Sequence, residues 1–176
     1  MKNCQLQVTA GAAIFYPVLY FFDSTGWFSA LLPAVLAHEA GHALLLRCCG
    51  ASIHTLRLEI TGLCMECSEL FDPRQVLLCA AAGPAAGFLW ALIAGLIPGQ
   101  WACMSRQLSI GLSLFNLLPV MPLDGGRILL ALTGSESILH RSRMVALCGL
   151  TLCALWFHRW HLLAAVGILL ACRVRA

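Results

Sequence analysis

The sequence predicts an all-α polytopic membrane protein with about six transmembrane helices and a short membrane-associated β-hairpin or loop. Three observations carry this. First, 60% of the 176 residues are hydrophobic and only 11% are charged, where soluble chains carry roughly 25% charged residues. Second, apolar runs recur with short polar gaps between them. Third, the 11 Lys and Arg are distributed unevenly. With the N terminus inside, only Arg106 and Arg159 fall on the outer side, which is a strong orientation signal. The net charge of +3 therefore reads as topology and not as nucleic-acid binding. The expected location is the cell membrane, multi-pass, with both termini cytoplasmic. One membrane-embedded domain, 1–176, is expected. A cleavable signal peptide is not, because the first apolar run lacks a small-x-small exit.

Taken in order, residues 5–22 form the first span and Asp23-Ser24-Thr25-Gly26 a turn. Span two, 27–46, closes at Arg47, Cys48, Cys49 and Gly50. Residues 53–60 alternate apolar and polar side chains, as a half-buried strand does, and 63–70 can return from a turn at Thr61-Gly62. The edge of that hairpin would offer unpaired backbone groups to an extended peptide. Span three, 76–97, holds a run of small residues around Gly83, Pro84 and Gly87. Such residues let helices approach closely in lipid, and Pro84 kinks its helix. Span four, 101–118, runs into a stretch broken by Pro119, Pro122, Gly125 and Gly126. Broken helices are tolerated in a membrane where they line a buried or wet cavity. A helical run resumes at 128–132. Residues 135–143 are polar. The apolar runs 144–157 and 162–172 make a C-terminal helical hairpin, about 144–172.

Span two carries His38-Glu39-x-x-His42. Two His four residues apart lie on one helix face, one turn along, so both imidazoles can reach one ion. Glu39 is placed to take a proton from a water beside that ion. Titratable side chains inside a membrane segment are costly and mark a functional site. A catalytic zinc takes three protein ligands and leaves the fourth position to water. Asp124 is the best third ligand: its carboxylate, in a broken intramembrane segment, would otherwise be neutral or prohibitive. Gly125 and Gly126 are expected to let the backbone swing it inward. An N-cap role for Asp124 is compatible with this. Of ten Cys, only Cys64-x-x-Cys67 has ligand-like spacing, and without a second pair it makes no zinc ribbon. His54, His140, His158 and His161 read as interfacial.

His38-Glu39-x-x-His42, Gly83-Pro84 and Asn116-x-x-Pro119-x-x-Pro122-Leu123-Asp124-Gly125-Gly126 resemble the site-2 protease family of intramembrane zinc metalloproteases. The resemblance covers about 27–132. Compact size and a short linker after span two are similar to the bacterial sporulation branch, which processes a membrane-tethered pro-sigma factor. No PDZ-like insertion stands between the spans. The resemblance implies a three-helix catalytic core (spans 2–4), one Zn2+ held by His38, His42 and Asp124, Glu39 as catalytic base, and Asn116 near the substrate. It implies cleavage of a membrane-tethered protein, a pro-sigma or anti-sigma factor being a candidate, within or near its transmembrane segment on the cytosolic side. A divalent-metal transporter is the first alternative, but it would need acidic groups on several spans. A catalytically inactive membrane scaffold is the second, and it would not need Glu39. A b-type haem protein ranks lower, because axial His commonly come from two helices.

Overall fold

In the computed structural model, which describes residues 5–59, 62–68 and 72–156, the buried apolar side chains of the helices up to Asn116 are mostly small and many large apolar ones face outward. Ala30, Ala34, Ala80, Ala91 and Ala94 are buried, while Phe21, Phe22, Leu92 and Leu96 are exposed. A water-soluble core has large apolar side chains within. Small residues between helices, with large apolar ones facing outward, suit a lipid surround.

The chain divides into two units, Met1–Leu114 and Phe115–Ala176. The first contains β1 (Gln5–Val8), α1 (Ala10–Phe22), α2 (Trp27–Cys48), β2 (Ile53–Glu59), β3 (Gly62–Cys67), α3 (Pro73–Gly95) and most of α4 (Gln100–Asn116). The second holds the end of α4, then α5 (Asp124–Thr133) and α6 (Glu136–Trp156).

Residues 5–22, expected as one span, divide into a strand and a helix at Thr9. The Thr9 hydroxyl accepts from the Ala12 amide at 3.3 Å and caps α1. Its own amide donates to the Leu58 carbonyl at 3.0 Å, extending the strand ladder to the helix start. Asp23 joins α1 to α2. Its carboxylate accepts from the Thr25 hydroxyl at 2.7 Å and from the Phe28 amide, in the first turn of α2, at 2.6 Å. These bonds, the Thr25 hydroxyl foremost, hold the Asp23 carboxyl below its ordinary range.

The expected hairpin is present, with a third strand added. The sheet order is β1-β2-β3, β1 parallel to β2 and β3 antiparallel to it. Thr55 to Leu58 pair with β1 on one side and with β3 on the other. The free edge expected at 53–59 is therefore taken, and β1 and β3 are the edge strands. Arg57 ties all three: it meets Glu66 at 3.3 Å and donates to the Gln7 side chain at 3.3 Å. The Tyr16 hydroxyl donates to the Glu59 carbonyl at 2.9 Å and fastens α1 to the sheet.

Among the described residues, α2 and α3 are long and apolar enough to cross a membrane, and α1 is a shorter apolar helix. The polar stretch 135–143 is helical from Glu136 onward. Ser135 starts that helix: its hydroxyl accepts from the Ile138 amide at 3.4 Å and its carbonyl from the Leu139 amide at 3.2 Å. The apolar run expected at 162–172 lies outside the described residues.

In the second unit, Val120 and Leu147 are buried against Phe115, Leu118, Leu123 and Ala146. The Ser142 hydroxyl donates to the Pro119 carbonyl at 3.2 Å. Gly125 and Gly126 sit in α5 with ordinary helical backbone, so they do not swing Asp124 inward. Close approach explains them instead. A Cβ at Gly125 would overlap the Leu117 and Leu118 carbonyl oxygens, and one at Gly126 would lie 2.7 Å from the Val120 carbonyl carbon. Gly126→Ala is expected to cost about 1–3 kcal/mol by overpacking, read as a lower thermal midpoint in detergent. An unchanged midpoint would mean that the 119–122 backbone can give way.

Candidate metal centre

The helical spacing of α2 brings His38 Nε2 and His42 Nε2 to 3.2 Å, with the rings 4.9 Å apart and nearly perpendicular. Two nitrogens on one tetrahedral zinc, each at about 2.0–2.1 Å, stand about 3.3 Å apart. The pair therefore has the separation that shared ligation needs.

His42 is aimed by α3. Its Nδ1 lies 2.8 Å from the Cys79 carbonyl oxygen. A carbonyl only accepts, so Nδ1 carries the proton and Nε2 keeps its lone pair for an ion. This contact demands that α3 lie directly against α2. A Cβ on Gly41 would overlap the Ala82 carbonyl oxygen and stand 2.7 Å from Ala86 Cβ. A Cβ on Gly83 would overlap the His42 ring edge, 2.7 Å from its Cδ2. Gly83 thus vacates the volume that the imidazole fills. On its other side α3 is held to α4 by hydroxyls. The Ser109 hydroxyl donates to the Gly87 carbonyl at 2.7 Å, and Trp90 Nε1 donates to the Ser105 hydroxyl at 3.0 Å.

Asp124 is the first residue of α5 and is 7% exposed. Leu123, not Asp124, holds the N-cap position. A carboxylate in the first turn is favoured by the helix dipole. His38 and His42 offer two imidazole nitrogens from the first unit, and Asp124 a buried carboxylate from the second. Two imidazoles and a carboxylate are a donor set suited to zinc. Glu39 is half-buried on α2 beside His38, and Asn116 is half-buried as the last residue of α4. Two contributors escaped sequence reasoning. The Cys79 carbonyl has no sequence signal, since every residue carries one. Gly41 lies inside the motif, where only its lack of a side chain marks it.

Residues 99–156 match the family model described as Peptidase family M50. Two curated relatives carry the name "Putative zinc metalloprotease". One is sll0528 of Synechocystis sp., 35% identical over 130 residues, covering 65% of this chain and 34% of the relative. The other is Rip3 of Mycobacterium tuberculosis, 35% identical over 132 residues, covering 66% and 33%. The chain thus spans about a third of the length of the curated relatives it matches. Among solved structures, the Site-2 Protease from Methanocaldococcus jannaschii aligns with a TM-score of 0.66 over 96% of this chain and 88% of that one. At 22% identity that likeness is one of fold.

Gly83→Ala should displace the His42 ring and lower zinc affinity by about 10–100-fold with far-UV circular dichroism unchanged; full affinity in that variant would contradict the orienting role given to α3. The motifs, the match of residues 99–156 to the peptidase family M50 model and the relatives named zinc metalloproteases make the chain similar to that family.

Proposed function

We propose that the protein is an intramembrane zinc metalloendopeptidase that hydrolyses a peptide bond within or near the transmembrane segment of a membrane-tethered protein, on the cytosolic side of the bilayer. The observation that carries this reading is the pair of Nε2 atoms 3.2 Å apart, with His42 oriented by the Cys79 carbonyl. The names of the curated relatives support it. His38, His42 and Asp124 would hold one zinc. When bound, the ion supplies Lewis acidity, polarising the scissile carbonyl and lowering the pKa of water. Glu39 takes the proton of the attacking water and returns it to the leaving amine. Asn116 is assigned to substrate binding, on the strength of the motif it opens.

The same reading takes 1–176 as one membrane-embedded domain, with its catalytic core at about 27–132. It has about six spans and both termini cytoplasmic, a topology supported by the Lys and Arg asymmetry. A substrate helix hides its peptide bonds in hydrogen bonds to the preceding turn, so helix-weak residues are expected near the cut. Because β2 is flanked on both sides, an unwound segment would be received at the outer edge of β3. A pro-sigma or anti-sigma factor is the candidate substrate, suggested by the likeness to the sporulation branch.

Glu39→Gln keeps all three ligands and removes the base. It should retain zinc and lose cleavage of a tagged, membrane-tethered substrate by about 10²–10⁴-fold, scored by fragment release on co-expression. Wild-type cleavage in that variant would refute the assignment.

A further inference from the structure

A group of thiols lies where α2 ends and α3 completes its second turn. Cys49 is the C-cap of α2, and its sulfur is 3.8 Å from that of Cys79 on α3. Cys79 is buried, Cys49 half-buried and Cys48 exposed. Cys67, at the end of β3, is half-buried, and it and Cys48 lie within electrostatic reach of the Cys79 thiol. The proposed peptidase mechanism uses none of these sulfurs. Yet Cys79 is the residue whose carbonyl holds His42 Nδ1 at 2.8 Å.

We propose that Cys49 and Cys79 form a redox modification site, a dithiol that a peroxide converts to a disulfide, and that this disulfide loosens His42 from its orienting carbonyl. Access sets the order of events. Cys49, at a helix end and partly exposed, meets the oxidant first. Its thiolate attacks the peroxide O–O bond, forming an S–O bond and a sulfenic acid, and the other oxygen leaves as water after taking up a proton. The Cys79 sulfur then attacks the Cys49 sulfur. The S–S bond forms, the S–O bond breaks, and the oxygen leaves as a second water carrying the Cys79 proton. In sum, two thiols and one hydrogen peroxide give one disulfide and two waters, the sulfurs losing the two electrons that the peroxide gains.

Closing the sulfurs from 3.8 Å to about 2.05 Å draws Cys79 towards the end of α2. The neighbouring backbone has little room to absorb the movement, because Gly41 and Gly83 already hold the two helices at contact. A tightly packed interface passes such a shift on. The shift falls on the atom that fixes the His42 tautomer, and disturbing that kind of partner weakens a metal site. The effect on cleavage rests on the peptidase reading above; disulfide formation and zinc release do not.

The test uses the full chain in detergent, loaded with zinc, treated with hydrogen peroxide and then with dithiothreitol. Peptide mass mapping, zinc affinity and substrate cleavage are read in parallel for wild type and Cys49→Ser. Wild type should yield a peptide linking Cys49 to Cys79. Its zinc affinity and cleavage should fall about tenfold or more, and dithiothreitol should restore both. Cys49→Ser should keep the reduced protein's activity and lose the response to peroxide. A bond from Cys49 to Cys48 or Cys67, no bond at all, an unaltered zinc affinity once the bond has formed, or a peroxide response that persists in Cys49→Ser would each overturn the proposal. If the disulfide forms and releases zinc but the reduced protein cleaves no substrate, the peptidase reading fails and the redox site stands.

Discussion

The metal centre depends on how closely α3 can approach α2. A hydrogen bond of 2.8 Å from His42 to a backbone carbonyl needs helix axes nearer than bulky side chains allow. Gly41 and Gly83 supply the room, one on each helix. In water, large apolar side chains would drive such a contact. In lipid they gain nothing by turning inward, and close packing of small residues is what remains. The buried Ala and exposed Leu and Phe of the first unit follow from the same constraint. A backbone carbonyl is also a well-chosen orienter for a membrane site, because it adds no ionisable group to a region where each charge is costly.

Charge at depth is the second constraint. Two imidazoles whose Nε2 atoms converge at 3.2 Å and a buried carboxylate are groups that a divalent ion would stabilise at depth. A bound ion would keep a carboxylate ionised where desolvation otherwise favours its neutral form. Stability and chemistry then share one origin.

Much of this was legible in the sequence, for reasons particular to each residue. His38 and His42 stood out because helical spacing is local and survives any tertiary context. Asp124 stood out because a carboxylate between two prolines and two glycines in an apolar run has few other uses. The strand pair after span two showed itself by alternation. What stayed hidden was non-local. Nothing in residues 5–8 announces a parallel partner some fifty positions on, so β1 disappeared into an apolar run and β2 seemed to have a free edge. The 135–143 helix was masked by its polarity, although Ser135 followed by Glu136 is a helix-start signal. Gly125 and Gly126 were noticed for the wrong property, since freedom of backbone angle and lack of volume look the same in a sequence.

X-ray absorption at the zinc edge of the purified protein tests the central claim most directly, because it counts ligand types without reference to activity. The account predicts one zinc per chain in a shell of two imidazole nitrogens and light oxygen donors, with no sulfur. A protein that retains no zinc, or a shell of thiolates without imidazole, would contradict it.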